Sequence, residues 1–140
     1  MTTIVLTDAG GATASFSFQP LSLDQNGTTT PREFIGAPLV VPNVPINAQG
    51  ELEIDMGMVM ITGAANPVTG SDMEVTILLS GQVVHQNALC GAVEGDLLSP
   101  LEYDLTGSTF AAIRLADDGS NPDTLPLVFP YECSTVPPED

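Results

Sequence analysis

A chain of 140 residues with 43% hydrophobic content is long enough to bury one core and too apolar for wholesale disorder. Its 18 acids are opposed only by Arg32 and Arg114, with no lysine, and the formal net charge of -16 excludes nucleic acid and disfavours anionic membrane surfaces, because both require a basic footprint. Such a balance favours solubility, cation binding or a salty medium that screens its own repulsion.

Thr2 to Thr7 carries Ile4, Val5 and Leu6, a β-branched run stopped by Asp8-Ala-Gly-Gly. Ala14, Phe16 and Phe18 then alternate with Ser15, Ser17 and Gln19, which predicts a hairpin through Gly10-Gly11. Asn26-Gly27 marks a further turn. With Thr28 it also spells a glycosylation sequon, read here as turn chemistry. Pro38, Pro42 and Pro45 punctuate the segment from Gly36 to Ala48. Proline cannot donate to a ladder, so this segment is expected to be an edge strand or an extended crossover.

The longest clean periodicity follows. From Glu51 to Ile61, Glu51, Glu53 and Asp55 alternate with Leu52, Ile54, Met56, Met58 and Met60, the pattern of a half-buried strand with acids outward and large apolar groups inward. Met73, Val75, Ile77 and Leu79 repeat it against Asp72, Glu74 and Thr76. A turn at Ser80-Gly81 is expected to lead into a third strand from Gln82 to Cys90, completing an antiparallel meander. Gly91 to Leu98 and Pro100 to Leu105 read as two short strands. Thr109 to Leu115 places Phe110, Ala112 and Arg114 on one face, and Thr124 to Pro130 is the last strand candidate.

Nothing in the chain has helical periodicity. About eight to ten short strands, with turns roughly every 8–12 residues, predict an all-β fold, an antiparallel β-sandwich of jelly-roll or Ig-like type, with a closed β-barrel as the alternative. The expected layout is a single β domain over 1–130 and an acidic, Pro-rich C-terminal tail over 131–140. Met1-Thr-Thr leads straight into a strand pattern, so neither a signal peptide nor a transmembrane segment is expected within this sequence. The run Leu89-Cys90-Gly91-x-Val93-x-Gly95, followed by Leu105-Thr-Gly-Ser-Thr-Phe110, resembles secreted bacterial β domains, which implies export but no ligand.

Few residues suggest chemistry. Asp117, Asp118, Asn121 and Asp123 crowd oxygen ligands into a loop containing Gly119, the composition a hard cation such as Ca²⁺ requires; the competing reading is an ordinary acidic turn. Met56, Met58 and Met60 with Met73, near His85 or Cys90, supply soft ligands for Cu(I), but the same stripe is explained as core filling. Arg114 could pair with a carboxylate. His85 is the sole histidine and has no nucleophile motif to serve, and no two of the many acids are marked out as a hydrolytic pair. The expectation is therefore a non-enzymatic protein without a cofactor, or with Ca²⁺ alone. Its role would be binding or assembly, with a protein or self-assembly partner, at an extracellular, cell-surface or periplasmic location. The alternatives are a small-ligand carrier barrel, with Leu52, Ile54, Met56, Met58 and Met60 lining its cavity, and, third, a carboxylate-dependent hydrolase. The sequence leaves the oligomeric state open.

Cys90 and Cys133 form an even count with no C-x-x-C spacing, which in an export-like composition points to one disulfide. Closing a loop of about 43 residues corresponds to about 4 kcal/mol in the chain-entropy account. Thiol titration of the denatured, unreduced protein should find no reactive thiol, whereas two per freshly isolated chain would exclude the bond.

Overall fold

Alternation of apolar and polar residues dominates the folded chain, as it does the sequence. The computed structural model describes residues 2–8, 12–22, 32–66, 69–114 and 118–125. Among them are nine strands: β1 (Thr2–Asp8), β2 (Ala12–Phe18), β3 (Leu39–Ile46), β4 (Glu51–Ile61), β5 (Met73–His85), β6 (Ala88–Glu94), β7 (Asp96–Ser99), β8 (Tyr103–Asp104) and β9 (Ser108–Ile113). Every ladder is antiparallel, and one sheet is curled into a half-barrel. The all-β class is therefore as expected. No helix among the described residues is long and apolar enough to cross a membrane.

The smaller sheet has the order β1-β2-β3. The expected hairpin places Thr2 opposite Phe18 and Asp8 opposite Ala12. β3 takes the edge, where Pro42 and Pro45 need no ladder partner on their outer side. Its register with β2 slips between the Ala14–Val44 and Phe16–Val41 pairs, and Asn43 there adopts φ 57°, a left-handed conformation that asparagine tolerates.

The larger sheet is built on β5, which pairs with β4 along one side and with β6 and β7 along the other. The expected turn at Ser80-Gly81 does not form. β5 runs straight through it for 13 residues and turns at Gln86-Asn87. Gly81 is instead part of a row crossing four strands, Leu52–Gly81–Gly91–Phe110. A β-carbon on Gly81 would lie 2.9 Å from Cζ of Phe110, and one on Gly91 would collide with the Ser80 carbonyl. The two glycines are thus strand residues that permit close approach, with the Phe110 ring over Gly81 and the β5 backbone against Gly91. Gly91 to Leu98 is likewise divided at Gly95 into β6 and β7, and only Tyr103 and Asp104 of the segment Pro100 to Leu105 are in a ladder.

A second departure lies in β4. Glu51, Glu53 and Asp55 are exposed while Leu52 and Ile54 are buried, as the alternation requires. Asp55 then pairs with Leu78 and Gly57 with Ile77, so Met56 is an extra residue. Gly57 takes φ 60° at this bulge, a conformation that costs glycine nothing in steric strain, and its N–H donates to Oδ1 of Asp55 at 2.9 Å. The inserted residue inverts the faces beyond it. Met58 and Met60 are 61% and 67% exposed, and Val59 and Ile61 turn inward instead. The expectation that all three methionines continue the core face is therefore wrong for two of them.

One core joins the sheets. Ala14, Phe16 and Val44 from the smaller sheet pack with Leu52, Ile54, Leu79 and Leu89 from the larger. Burying a side chain such as Ile54 or Phe16 contributes about 1.5–3 kcal/mol. Along β6, Leu89 enters this core, and the alternating Ala88 and Cys90 face the opposite way, where they too are buried. Thr124, expected to begin a last strand, ends a 3-10 turn over Pro122–Thr124 that Leu125 caps; residues 126–130 of that candidate and the 131–140 tail lie outside the described residues. In urea unfolding, Ile54→Ala should cost about 2–5 kcal/mol, while Glu53→Ala and Met58→Ala should stay within about 0.5 kcal/mol. A Met58→Ala penalty as large as that of Ile54→Ala would mean that the alternation runs on without the bulge.

Candidate functional site

Two segments far apart in sequence meet at Arg32. Residues 19–22 and 33–36 form a short antiparallel ribbon: the Ser22 N–H donates to the Glu33 carbonyl at 2.9 Å and the Ile35 N–H to the Pro20 carbonyl at 3.0 Å, with an isolated bridge between Leu21 and Phe34. The Ser22 hydroxyl accepts the Glu33 N–H at 2.8 Å. At the other end of the ribbon, Gln19 Nε2 donates to the carbonyls of Pro20, Ile35 and Gly36. Arg32 directly precedes the 33–36 arm of this ribbon. Its N–H donates to Oδ1 of Asp123 at 2.6 Å, a charge-assisted bond that ties the ribbon to the acidic loop 91 residues away.

Arg32 is only 5% exposed. Its Nε and Nη2 are buried without a hydrogen-bond partner among the described residues. A guanidinium cannot shed its proton to escape this cost, so the arrangement is a charged donor edge held out of water. Sequence reasoning passed over this residue. The available signal was its rarity, one of two cations in a chain without lysine. Arg114, which that reasoning did single out, is an exposed residue whose main-chain N–H closes the end of β9 on the Asn87 carbonyl at 2.8 Å.

The acidic loop uses its oxygens on its own backbone. Asp118 Oδ1 accepts the Ser120 N–H at 3.0 Å, and Asn121 Oδ1 accepts the Asp123 N–H at 3.1 Å, capping the 3-10 turn. These are the Asx turns that Asp and Asn form readily. Of the four residues assigned to Ca²⁺, Asp118, Asn121 and Asp123 thus each have one oxygen engaged by an amide, and Asp117 lies outside the described residues. No group of three or more His, Cys, Asp or Glu side chains able to hold a metal occurs among the described residues.

Hydrogen bonds from the Ser120 hydroxyl and then its amide hold the Asp118 carboxyl below the usual range, and Thr106 does the same for Asp104. A carboxyl lowered on folding stabilises the fold above its unfolded pKa of about 3.9, and that contribution is lost as pH falls through the folded value.

The remaining sequence candidates separate in space. The bulge puts Met58 and Met60 on the face opposite Leu52 and Ile54, opposed by Thr76 and Glu74 on β5, so the three-thioether set proposed for Cu(I) is broken. His85 ends β5 at its pairing with Ala88. Cys90 is wholly buried and no described cysteine is free, while Cys133 lies outside the described residues. Neither a protein family, nor a curated protein, nor a solved structure matches the chain.

A proton-detected titration should place the Asp118 midpoint below that of a free aspartate. Ser120→Ala removes the hydroxyl bond and should raise the midpoint; an unchanged midpoint would remove Ser120 as its cause.

Proposed function

We propose that the protein is a non-enzymatic binding module, exported or displayed at the cell surface or in the periplasm, whose two sheets form a sandwich of jelly-roll or Ig-like type. The shared core supports the sandwich: both sheets contribute side chains to it, and β3 and β4 lie close without a ladder between them among the described residues. A closed barrel would need that seam to be paired. The Cys90–Cys133 disulfide is part of this proposal, and its formation would accord with export.

The observation that carries the binding reading is the outward turn of Met58 and Met60. Both sit on β4, whose only ladder among the described residues is with β5; β7, on the far side of β5, exposes Leu98 in the irregular step of its pairing. Flexible thioethers suit an adaptable contact surface. Exposed Asp55 on the same strand and Glu74 opposite Met60 rim these methionines with acid. With a net charge of -16, a second copy is repelled, so the partner we propose is a protein surface carrying an apolar patch ringed by basic groups. The carrier reading loses support at the same place, since two of the five side chains assigned to its cavity face outward. Ca²⁺ at Asp117, Asp118, Asn121 and Asp123 is retained as an accessory proposal, favoured by the negative field.

Native mass measurement should give a monomer, and would report any retained Ca²⁺ directly. A synthetic amphipathic helix of leucine and lysine, followed by fluorescence anisotropy, should bind saturably and more weakly as salt rises. Met58→Ser with Met60→Ser, at unchanged charge, should weaken it about tenfold, roughly 1.4 kcal/mol. Equal binding by the variant would reduce the effect to bulk charge. A native dimer lost in the variant would make the partner a second copy.

A further inference from the structure

We propose that Arg32 is the receptor for a small monocarboxylate, whose two oxygens lie side-on against its Nε–H and Nη2–H. Those two nitrogens share one edge of the guanidinium plane and present parallel donors, the geometry that a carboxylate matches bidentately. They are also the two buried atoms without a hydrogen-bond partner among the described residues. The other edge of the group is not needed for this arrangement.

The surroundings favour this class of ligand over others. Asp123, the acid that the fold brings to Arg32, places its Oδ1 on the main-chain N–H, which leaves the donor edge for another oxygen pair. A net charge of -16 opposes any anion and opposes a dianion most, so a monoanionic carboxylate is preferred to phosphate or sulfate. Burial of the side chain to 5% exposure limits the occupant to a small group and strengthens a charge-assisted bond once made. The ribbon of 19–22 with 33–36 and the Asp123 bond fix the main chain from which the side chain projects, so little ordering is required on binding. This site does not involve the methionine face, and the two proposals fail independently.

The 140-residue protein is unfolded by heat at pH 7 in sodium acetate and in sodium chloride of equal ionic strength. Acetate should raise the transition temperature saturably beyond chloride, as a ligand specific for the folded state does. Sodium sulfate at the same ionic strength should not reproduce the acetate curve. Arg32→Lys retains the charge but lacks the parallel donors, and should abolish the difference between acetate and chloride. A wild-type protein indifferent to the choice of acetate or chloride, or an acetate effect that survives in Arg32→Lys, would overturn the proposal. Should Arg32→Lys not fold, the wild type still decides. The chain has only two arginines, and Arg114→Lys alters an exposed side chain, leaving Arg32 as the sole source of an arginine Nε–H resonance. That resonance should shift saturably with acetate and not with chloride; an acetate-independent resonance would sink the proposal.

Discussion

Two glycines side by side at the middle of the larger sheet set the spacing on which its packing depends. Gly81 and Gly91 face each other across β5 and β6, with Leu52 and Phe110 as their outer neighbours in the same row. No β-carbon fits at either position: the Phe110 ring occupies the space over Gly81, and the Ser80 carbonyl blocks Gly91. A strand interior normally loses stability where glycine replaces a packed side chain. Here the Phe110 ring fills the volume over Gly81, and Leu89 reaches into the same space before joining the common core. The core that unites the two sheets is therefore contiguous with the glycine row.

The bulge in β4 divides the same strand into two halves of opposite facing. Before it, Leu52 and Ile54 build the core and the acids face water; after it, Val59 and Ile61 turn inward and two methionines face outward. A register change of one residue reverses every later side chain because the period is two. Asp55 accepts the Gly57 amide and so holds the inserted turn in place. One glycine thus decides whether a row of thioethers is core filling or surface.

Electrostatics sets a different constraint. Most of the described carboxylates are exposed, and some are spent on neighbouring amides, as at Asp104 and Asp118. Asp123 is used differently, reaching the main chain of a residue 91 positions away. The guanidinium of Arg32 is then a positive edge inside a negative molecule, and its cost when unpaired is what singles it out. The acidic loop attracted attention for cation binding from its composition, yet its clearest structural role is to position an arginine.

Local pattern alone determined the fold class, the Thr2–Phe18 hairpin, the edge position of β3 and the inward face of Leu52 and Ile54, because each follows from a two-residue period or from proline's missing donor. The lone Gly57 and the paired Gly81 and Gly91 were visible as letters, but a glycine in a strand pattern reads equally as turn, bulge or close approach. Only tertiary contact decides among these: Gly57 bulges because Asp55 and Ile77 fix the register around it, and Gly81 stays in its strand because Gly91 and Phe110 are there to meet it. Arg32 lay further from reach, since its burial and its bond to Asp123 join segments that no local pattern connects. Periodicity is a property of neighbours in sequence, whereas register, burial and charge pairing are properties of neighbours in space.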